Sequence, residues 1–283
     1  MHKRNITVGA LTDHLNTPSS RFRIRQFIDK LKNENIIITD YPRKYSKYKT
    51  SNFLPNKRIR ESFLKIFFAL ILEIANYWDT FIRLYFKASK YDYIFISREI
   101  IDNFFSFEFF IPGNVIFDLD DAIFNNGFFY LYKTKLLVKS SKVVFVPTTY
   151  IADWCKKYSN NVHVIPTVVD IDRFIAIKKF AKKEFIVGWS GTSSNYRYLL
   201  LIEDYLFDFF SKNMNAKLKI CSDRYPHELK KLKNHIIYEK WTVDNEVNQI
   251  QSFDIGIVPM QKEEYALGKG SYKMLICLSC NIP

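Results

Sequence analysis

Only four cysteines occur in 283 residues, and just two of them, Cys277 and Cys280, form a CxxC pair. A structural zinc site needs a second pair, or histidines at matching spacing, and neither is present. Cys277 and Cys280 therefore read as small apolar residues on a buried helix face. A disulfide framework is excluded by the same scarcity. The five histidines (His2, His14, His163, His227, His235) lack metal-ligand spacing and offer no Ser-His-Asp or Cys-His arrangement. No long hydrophobic run exists either. The most apolar stretch, Phe63 to Leu72, contains Lys65 and is followed by Glu73, too short and too interrupted to span a bilayer. The opening MHKRNITVGAL turns polar too soon to hold a signal-peptide core. The chain reads as cytoplasmic. Two phosphate-binding signatures are also missing. Without GxxxxGK[ST] it is not a P-loop protein, and without G-x-G-x-x-G a dinucleotide oxidoreductase is disfavoured.

What is present is apolar bulk and positive charge. Hydrophobic residues make up 48% and aromatics 17%, enough to fill cores and to exclude global disorder. Forty-two Lys and Arg against 29 Asp and Glu give +13, which suits an anionic partner such as a nucleotide or an anionic membrane surface. The excess is spread along the chain rather than blocked, which speaks against nucleic acid as the partner.

Apolar runs alternate with helix-spaced segments. Ile6–Leu11 reads as a strand, Arg21–Asn33 as a helix and Ile36–Thr39 as a second strand, a β–α–β opening that favours a parallel sheet. The spacing of Ile59, Phe63, Ile66, Phe67, Leu70, Ile74, Tyr77, Trp78, Phe81 and Tyr85 predicts one long helix over 56–88, basic in its first half. Such a helix either faces a core or lies on an anionic membrane. Strands follow at Tyr93–Ser97, Asn114–Asp118, Lys142–Val146 and Val162–Pro166. A second alternation runs from Phe185–Trp189 through a helix at Tyr196–Ser211, Lys217–Cys221, Pro226–Lys233, Ile236–Tyr238 and a helix at Asp244–Ser252 to Asp254–Val258. The fold class is α/β, with two Rossmann-like domains facing one cleft: residues 1–170, a linker at 171–184, and 185–283.

In such domains ligands bind beyond the carboxyl ends of the strands, and the chemistry-bearing residues fall there. Ser190–Asn195 holds Gly191 and Thr192 between a strand and a helix, a place where backbone N–H groups and hydroxyls meet phosphate. Gly268–Lys273 (GKGSYK) is a second phosphate candidate, with Lys269 and Lys273 four apart and expected to share a helix face. Asp118, Asp120 and Asp121 follow a strand and can serve as base, metal ligand or hydroxyl acceptor; as a helix N-cap they would be purely structural. Arg98 and Glu99 end another strand. Ser19, Ser20 and Arg21, with Arg23 and Arg25, offer an anion site at the first helix.

Taken in order, PSSRFRIRQF (18–27), IFISRE (94–99), VIFDLDDAIF (115–124), VIPTVVDIDRF (164–174), IVGWSGTSSNYRYL (186–199) and the closing GKGSYKMLICLSCNIP resemble the GT-B glycosyltransferases, specifically family 4, the retaining nucleotide-sugar enzymes. The resemblance implies a GT-B fold, a nucleotide-sugar donor on the second domain, a glycan or lipid-linked acceptor on the first, and no obligatory metal or cofactor. By position it implies that Gly191 and Thr192 approach the diphosphate. Lys269, Tyr272 and Lys273 belong to the donor loop, with Lys269 beside the reaction. Ser19, Ser20 and Arg21 close the site from the first domain, and Asp118, Asp120 and Asp121 line the acceptor side. Two glutamates common in the family are replaced by Gly268 and Ile276, as in a subset with a Gly-Lys…Lys pattern. The family continues with a further strand and helices, so the resemblance also makes the second domain incomplete. The expected function is a hexosyltransferase-like enzyme of cell-surface polysaccharide or lipopolysaccharide synthesis, peripheral on the inner membrane face. A non-catalytic sugar-nucleotide-binding remnant and, less favoured, a basic nucleic-acid-binding protein are the alternatives.

Overall fold

The computed structural model describes residues 4–43, 90–98, 111, 113–177 and 184–283, with Phe67, Ile71, Ile74, Ala75, Trp78, Asp79 and Ile82 between them. The chain divides into two compact units. One comprises residues up to Thr167 together with Leu267–Gly270; the other comprises Val168–Ala266 and Ser271–Pro283.

The first unit is a six-stranded parallel sheet ordered β2-β1-β3-β4-β5-β6. Its strands are β1 (Ile6–Thr12), β2 (Ile36–Pro42), β3 (Tyr93–Ser97), β4 (Val115–Asp118), β5 (Val143–Val146) and β6 (Val162–Val164). The inner strands β1, β3, β4 and β5 are short, apolar and mostly buried, as strands covered on both faces require, whereas the edge strands β2 and β6 are half-buried to exposed. Val8, Ala10, Ile24 and Phe95 form the centre of one core cluster. The helices are α1 (Pro18–Arg23), α2 (Ile28–Lys32), α3 (Phe128–Ser140) and α4 (Thr149–Cys155). The single helix expected over 21–33 is broken. Ile24 leaves helical geometry at φ −137°, and a 3-10 turn (Arg25–Phe27) separates α1 from α2. The cause is visible in the side chains. Arg23 is bonded to Asp118, Arg25 to Asp40, and Ile24 is buried between them. Most of the helix expected over 56–88 lies outside the described residues. The seven described positions there are helical.

The second unit is a four-stranded parallel sheet ordered β10-β7-β8-β9, built from β7 (Phe185–Ser190), β8 (Ala216–Ser222), β9 (Ile236–Lys240) and β10 (Ile255–Gly256). Its helices are α5 (Tyr196–Leu200), α6 (Glu203–Lys212), α7 (Glu246–Gln251), α8 (Glu264–Leu267) and α9 (Tyr272–Ser279). β7 sends alternate side chains to opposite faces. Val187 and Trp189 join Tyr196, Leu199, Phe210, Leu218 and Ile220, while Ile186 joins Ile250, Phe253, Ile276, Cys277 and Cys280. Each fully buried large side chain, Phe210 for example, contributes roughly 1.5–3 kcal/mol. All four cysteines are free and buried, and Cys277 and Cys280 pack as apolar residues. The helix expected over 196–211 breaks at Ile202 (φ −118°), which separates α5 from α6. Residues 226–233 form turns, and the strand expected over 254–258 pairs only through Ile255 and Gly256.

In both sheets the strand order reverses beside the first strand. In the first unit β1 lies between β2 and β3; in the second β7 lies between β8 and β10. Loops leaving the carboxyl ends of the strands flanking such a reversal go to opposite faces and leave a crevice between them.

Candidate functional site

In the second unit the reversal lies between β7 and β10. The two loops beside it are the Ser190–Asn195 turn and the stretch leading into α9. They meet at Gly191 and Lys273. The Lys273 ammonium lies 4.9 Å from the centre of the Trp189 ring, a cation–π position. A Cβ at residue 191 would overlap the Lys273 Nζ and come within 2.8 Å of the Trp189 ring. Glycine therefore lets the ammonium lie against the loop backbone. Lys273 is the second residue of α9, where the helix dipole also favours an anion. Positive charge, helix end and close backbone approach are thus gathered at one crevice.

The rest of the polar turn is held by the protein itself. Asp223, just beyond β8, accepts from the Ser193 backbone N–H at 2.6 Å and from its hydroxyl at 2.8 Å. Thr192 Oγ1 accepts from Asn195 Nδ2 at 2.9 Å and shares a 3.0 Å bond with Ser194. Tyr272 packs edge-on against Phe174, with ring centres 6.5 Å apart, in a core cluster.

In the first unit the carboxyl ends of β3 and β4 carry a charge network. Asp118 accepts from Arg23 Nε at 3.0 and 3.1 Å and also from Nη2, and Arg23 Nη1 donates to the Ile165 carbonyl at 2.6 Å. Arg98 lies 3.2 Å from Asp120 and 3.5 Å from Asp121. It sits in the left-handed region at φ 61°, where its backbone N–H reaches the Asp118 carbonyl at 2.9 Å. That conformation costs on the order of 1–2 kcal/mol in a residue with a Cβ. Lys269 lies 3.0 Å from Asp121. Gly268 and Gly270 bracket it closely. A Cβ at 268 would come within 2.6 Å of Ala122 Cβ and 3.0 Å of its nitrogen, and one at 270 within 2.7 Å of Thr167 Oγ1.

Burial raises Asp118 above the ordinary carboxylate range, against the opposing pull of Arg23. Burial also lowers the Arg23 guanidinium, but the bonds and charge of Asp118 more than offset it and hold Arg23 above its usual value. Asp118 is 1% exposed, whereas the Asp120 and Asp121 side chains keep 12% and 14%. Asp118 thus fixes Arg23 and the end of β4, and the two following carboxylates, each with a cation beside it, remain within reach of a solute. Among the described residues no group of three or more His, Cys, Asp or Glu side chains is placed to hold a metal ion.

Several expected site residues sit differently from the sequence reading. Lys269 and Lys273 do not share a helix face, because α9 begins at Tyr272 and Lys269 precedes it in the loop. Ser271, at φ 51°, turns the chain between them, and the two lysines fall in different compact units. The anion site expected at Ser19–Arg25 is largely taken up internally. Ser20 is fully buried and accepts from the Asp13 N–H at 3.0 Å. Arg25 binds Asp40 at 2.7 Å and the Leu15 and Asp13 carbonyls at 2.8 and 2.7 Å, so it fastens the loop after β1. Arg21 is buried with its guanidinium 4.8 Å from the Phe22 ring centre, and the Ser19 hydroxyl is buried. Glu99 lies outside the described residues. Asp223 and Trp189 were not singled out from sequence. Asp223 follows a strand, which is a signal, but its partner is thirty residues away.

No protein-family model matches the chain, and no curated protein matches it in sequence. Solved structures do match in fold. The apo lipopolysaccharide outer core galactosyltransferase WaaB is 9% identical with TM-score 0.53, covering 98% of this chain and 79% of its own. A UDP-N-acetylglucosamine 2-epimerase is 10% identical with TM-score 0.53, covering 89% and 74%. The trehalose-6-phosphate protein from E. coli bound with UDP-2-fluoro glucose is 10% identical with TM-score 0.54, covering 93% and 82%. The chain therefore has the GT-B type of fold, with two Rossmann-like units.

Proposed function

We propose that the protein is a nucleotide-sugar-dependent glycosyltransferase. The observation that carries the reading is the meeting of Gly191 and Lys273 at the strand-order reversal of the second unit. There an ammonium, a glycine backbone and a helix start come together, a combination that suits a diphosphate. The fold likeness to WaaB and to a protein holding a UDP-sugar analogue supports the same reading.

In the proposed reaction the bond from the sugar C1 to the diphosphate oxygen breaks, the acceptor oxygen bonds to C1, and the acceptor proton passes to the leaving diphosphate. The leaving diphosphate gathers negative charge in an oxocarbenium-like transition state. Lys273 and the N-terminus of α9 stabilise that charge without reorganising, which is where most of the acceleration arises. Asp120 and Asp121, at the carboxyl end of β4, are the carboxylates proposed to accept hydrogen bonds from acceptor hydroxyls. Lys269 holds Asp121 in place, and Asp118 acts indirectly by fixing Arg23. Retention of configuration, a family 4 assignment, a glycan or lipid-linked acceptor and a place in polysaccharide or lipopolysaccharide synthesis complete the proposal.

Thermal melts with UDP, GDP, ADP and their sugar conjugates at two salt concentrations test it. A nucleotide-selective rise at both salts, lost in Lys273→Ala, is the expected result. A cooperatively melting protein that responds to none of them refutes it. Since the same fold serves an epimerase, the product assay includes an arm without acceptor. Sugar released or isomerised there, with no acceptor-dependent product, points away from transfer. Selective nucleotide binding with no turnover at all favours the non-catalytic binding protein.

A further inference from the structure

Two aromatic rings of α6 are left over after the core of the second unit is filled. Leu206 and Phe210 join the cluster of Trp189, Leu218 and Ile220. Tyr205 and Phe209, four residues apart and so on one helix face, are 78% and 41% exposed. Leu201 just before the helix and Met214 just after it are 52% and 78% exposed. A surface helix ordinarily turns polar residues outward. At roughly 200 Å² per large side chain, these four leave about 500 Å² of surface on a single copy, a size at which apolar surface on a monomer marks a contact site. A row of charges flanks the two rings: Asp204, Asp208 and Lys212, again four apart.

We infer that this face of α6 is the interface of a homodimer, in which the α6 helices of two copies pack antiparallel about a two-fold axis. The face is self-complementary, as a two-fold interface requires. With Tyr205 of one copy opposite Phe209 of the other, the Leu201 end of each meets the Met214 end of its mate. The charge row then lies along its own copy in reversed order, which brings Lys212 of each beside the acidic end at Asp204. Two copies join about 1,000 Å² from these four side chains alone, and a polar rim takes the total into the roughly 1,200–2,000 Å² of a stable interface. Charge also sets aside the other occupants. Residues 200–214 carry three Asp and Glu against one Lys in a chain of net +13, so an anionic lipid surface or a nucleic acid would be repelled here. No described helix is long and apolar enough to cross a membrane. The inference stands apart from the transferase reading, because no nucleotide takes part in it.

The test is sedimentation velocity of the full chain from about 0.1 to 100 µM, a span that holds the weaker affinities an interface of this area supports. The parent is expected to show a monomer–dimer equilibrium whose dimer fraction rises across the series. Tyr205→Glu and Met214→Glu should each raise the dissociation constant by at least about tenfold, because each sets a charge against an apolar neighbour. Lys212→Glu, which makes the flanking row wholly acidic, should weaken association more at low salt than at high salt. Phe128→Glu, at the exposed tip of α3 in the first unit, serves as the comparison and should associate as the parent does. Thermal melts of each variant at a concentration where all are monomeric, matching the parent, establish that the fold is kept. A chain that stays monomeric throughout overturns the inference, as does a dimer that Tyr205→Glu and Met214→Glu leave intact or that Phe128→Glu weakens equally. A dimer that Lys212→Glu leaves unchanged at low salt overturns the antiparallel arrangement.

Discussion

Removing Arg23 should unbalance the end of β4, because it leaves a buried carboxylate without its counter-charge. The Arg23 side chain is 6% exposed and that of Asp118 2%, and they share three hydrogen bonds. In Arg23→Met the carboxylate stays buried without its counter-charge, which costs about 3–5 kcal/mol. At roughly 2–4 °C per kcal/mol for a unit of this size, the melting temperature should fall by about 6–20 °C. The deficit depends on pH with a definite sign. Burial already raises Asp118, and without Arg23 nothing opposes that rise. A carboxyl whose folded pKa lies above its unfolded value stabilises the fold below the unfolded pKa, and this stability is lost as pH rises through the folded pKa. The gap between variant and parent should therefore be widest at neutral pH and shrink toward acid. Urea melts of both proteins across pH 4 to 8 measure it. The double variant Arg23→Met/Asp118→Leu, which removes both charges, should recover most of the loss. A single variant within about 1 kcal/mol of the parent, or a double variant worse than the single, would refute the claim that a buried ion pair organises this strand end.

Gly188→Ala should disable the second unit, because its Cβ would overlap the Phe253 ring in a closed core. Soluble expression and a melt test it, and an unchanged melting temperature would contradict the packing. Burial pushes the Cys155 and Cys221 thiols up to about 12 and Cys277 to about 11, so native protein at pH 8 should react slowly with an aromatic disulfide and quickly after unfolding. The same shifts predict a thiol contribution to stability that is fully present below the unfolded thiol pKa and declines as pH rises above it, as unfolded thiols ionise before folded ones. Asp223→Ala should loosen the turn after β7 by removing the acceptor of Ser193. If that turn receives the donor, nucleotide affinity should change while stability falls by about 1–3 kcal/mol; unchanged affinity would separate Asp223 from the site.

The two parallel sheets were readable because their strands are continuous apolar runs separated by polar turns, a pattern that needs no long-range information. YIFIS and VVFV show buried strands on their own terms. The broken helices were not readable in the same way. The interruption at Ile24 follows from Arg23 and Arg25 being bound to partners 95 and 15 residues away, and helical spacing carries no trace of such partners. The same limit governs the site. Position after a strand placed Gly191, Asp118, Asp120 and Asp121 at strand carboxyl ends. It could not show that Asp118 is sealed under an arginine while Asp120 and Asp121 keep part of their surface.

The lysines of the closing loop show why residue spacing is a weak guide to shared chemistry. Four residues apart suggests one helix face, but Ser271 turns left-handed between them and sends each to a different carboxyl-end crevice. Lys269 is set on the first unit by two glycines whose lack of a side chain serves contact with Ala122 and Thr167. Lys273 is set over Trp189 by a third glycine in another strand's loop. The loop thus spends its glycines on seating two cations separately. Lys273→Ala should accordingly weaken nucleotide binding, whereas Lys269→Ala should leave nucleotide binding and impair acceptor turnover, because its partner is Asp121. Equal loss of nucleotide affinity in both variants would refute the assignment of separate roles to the two lysines.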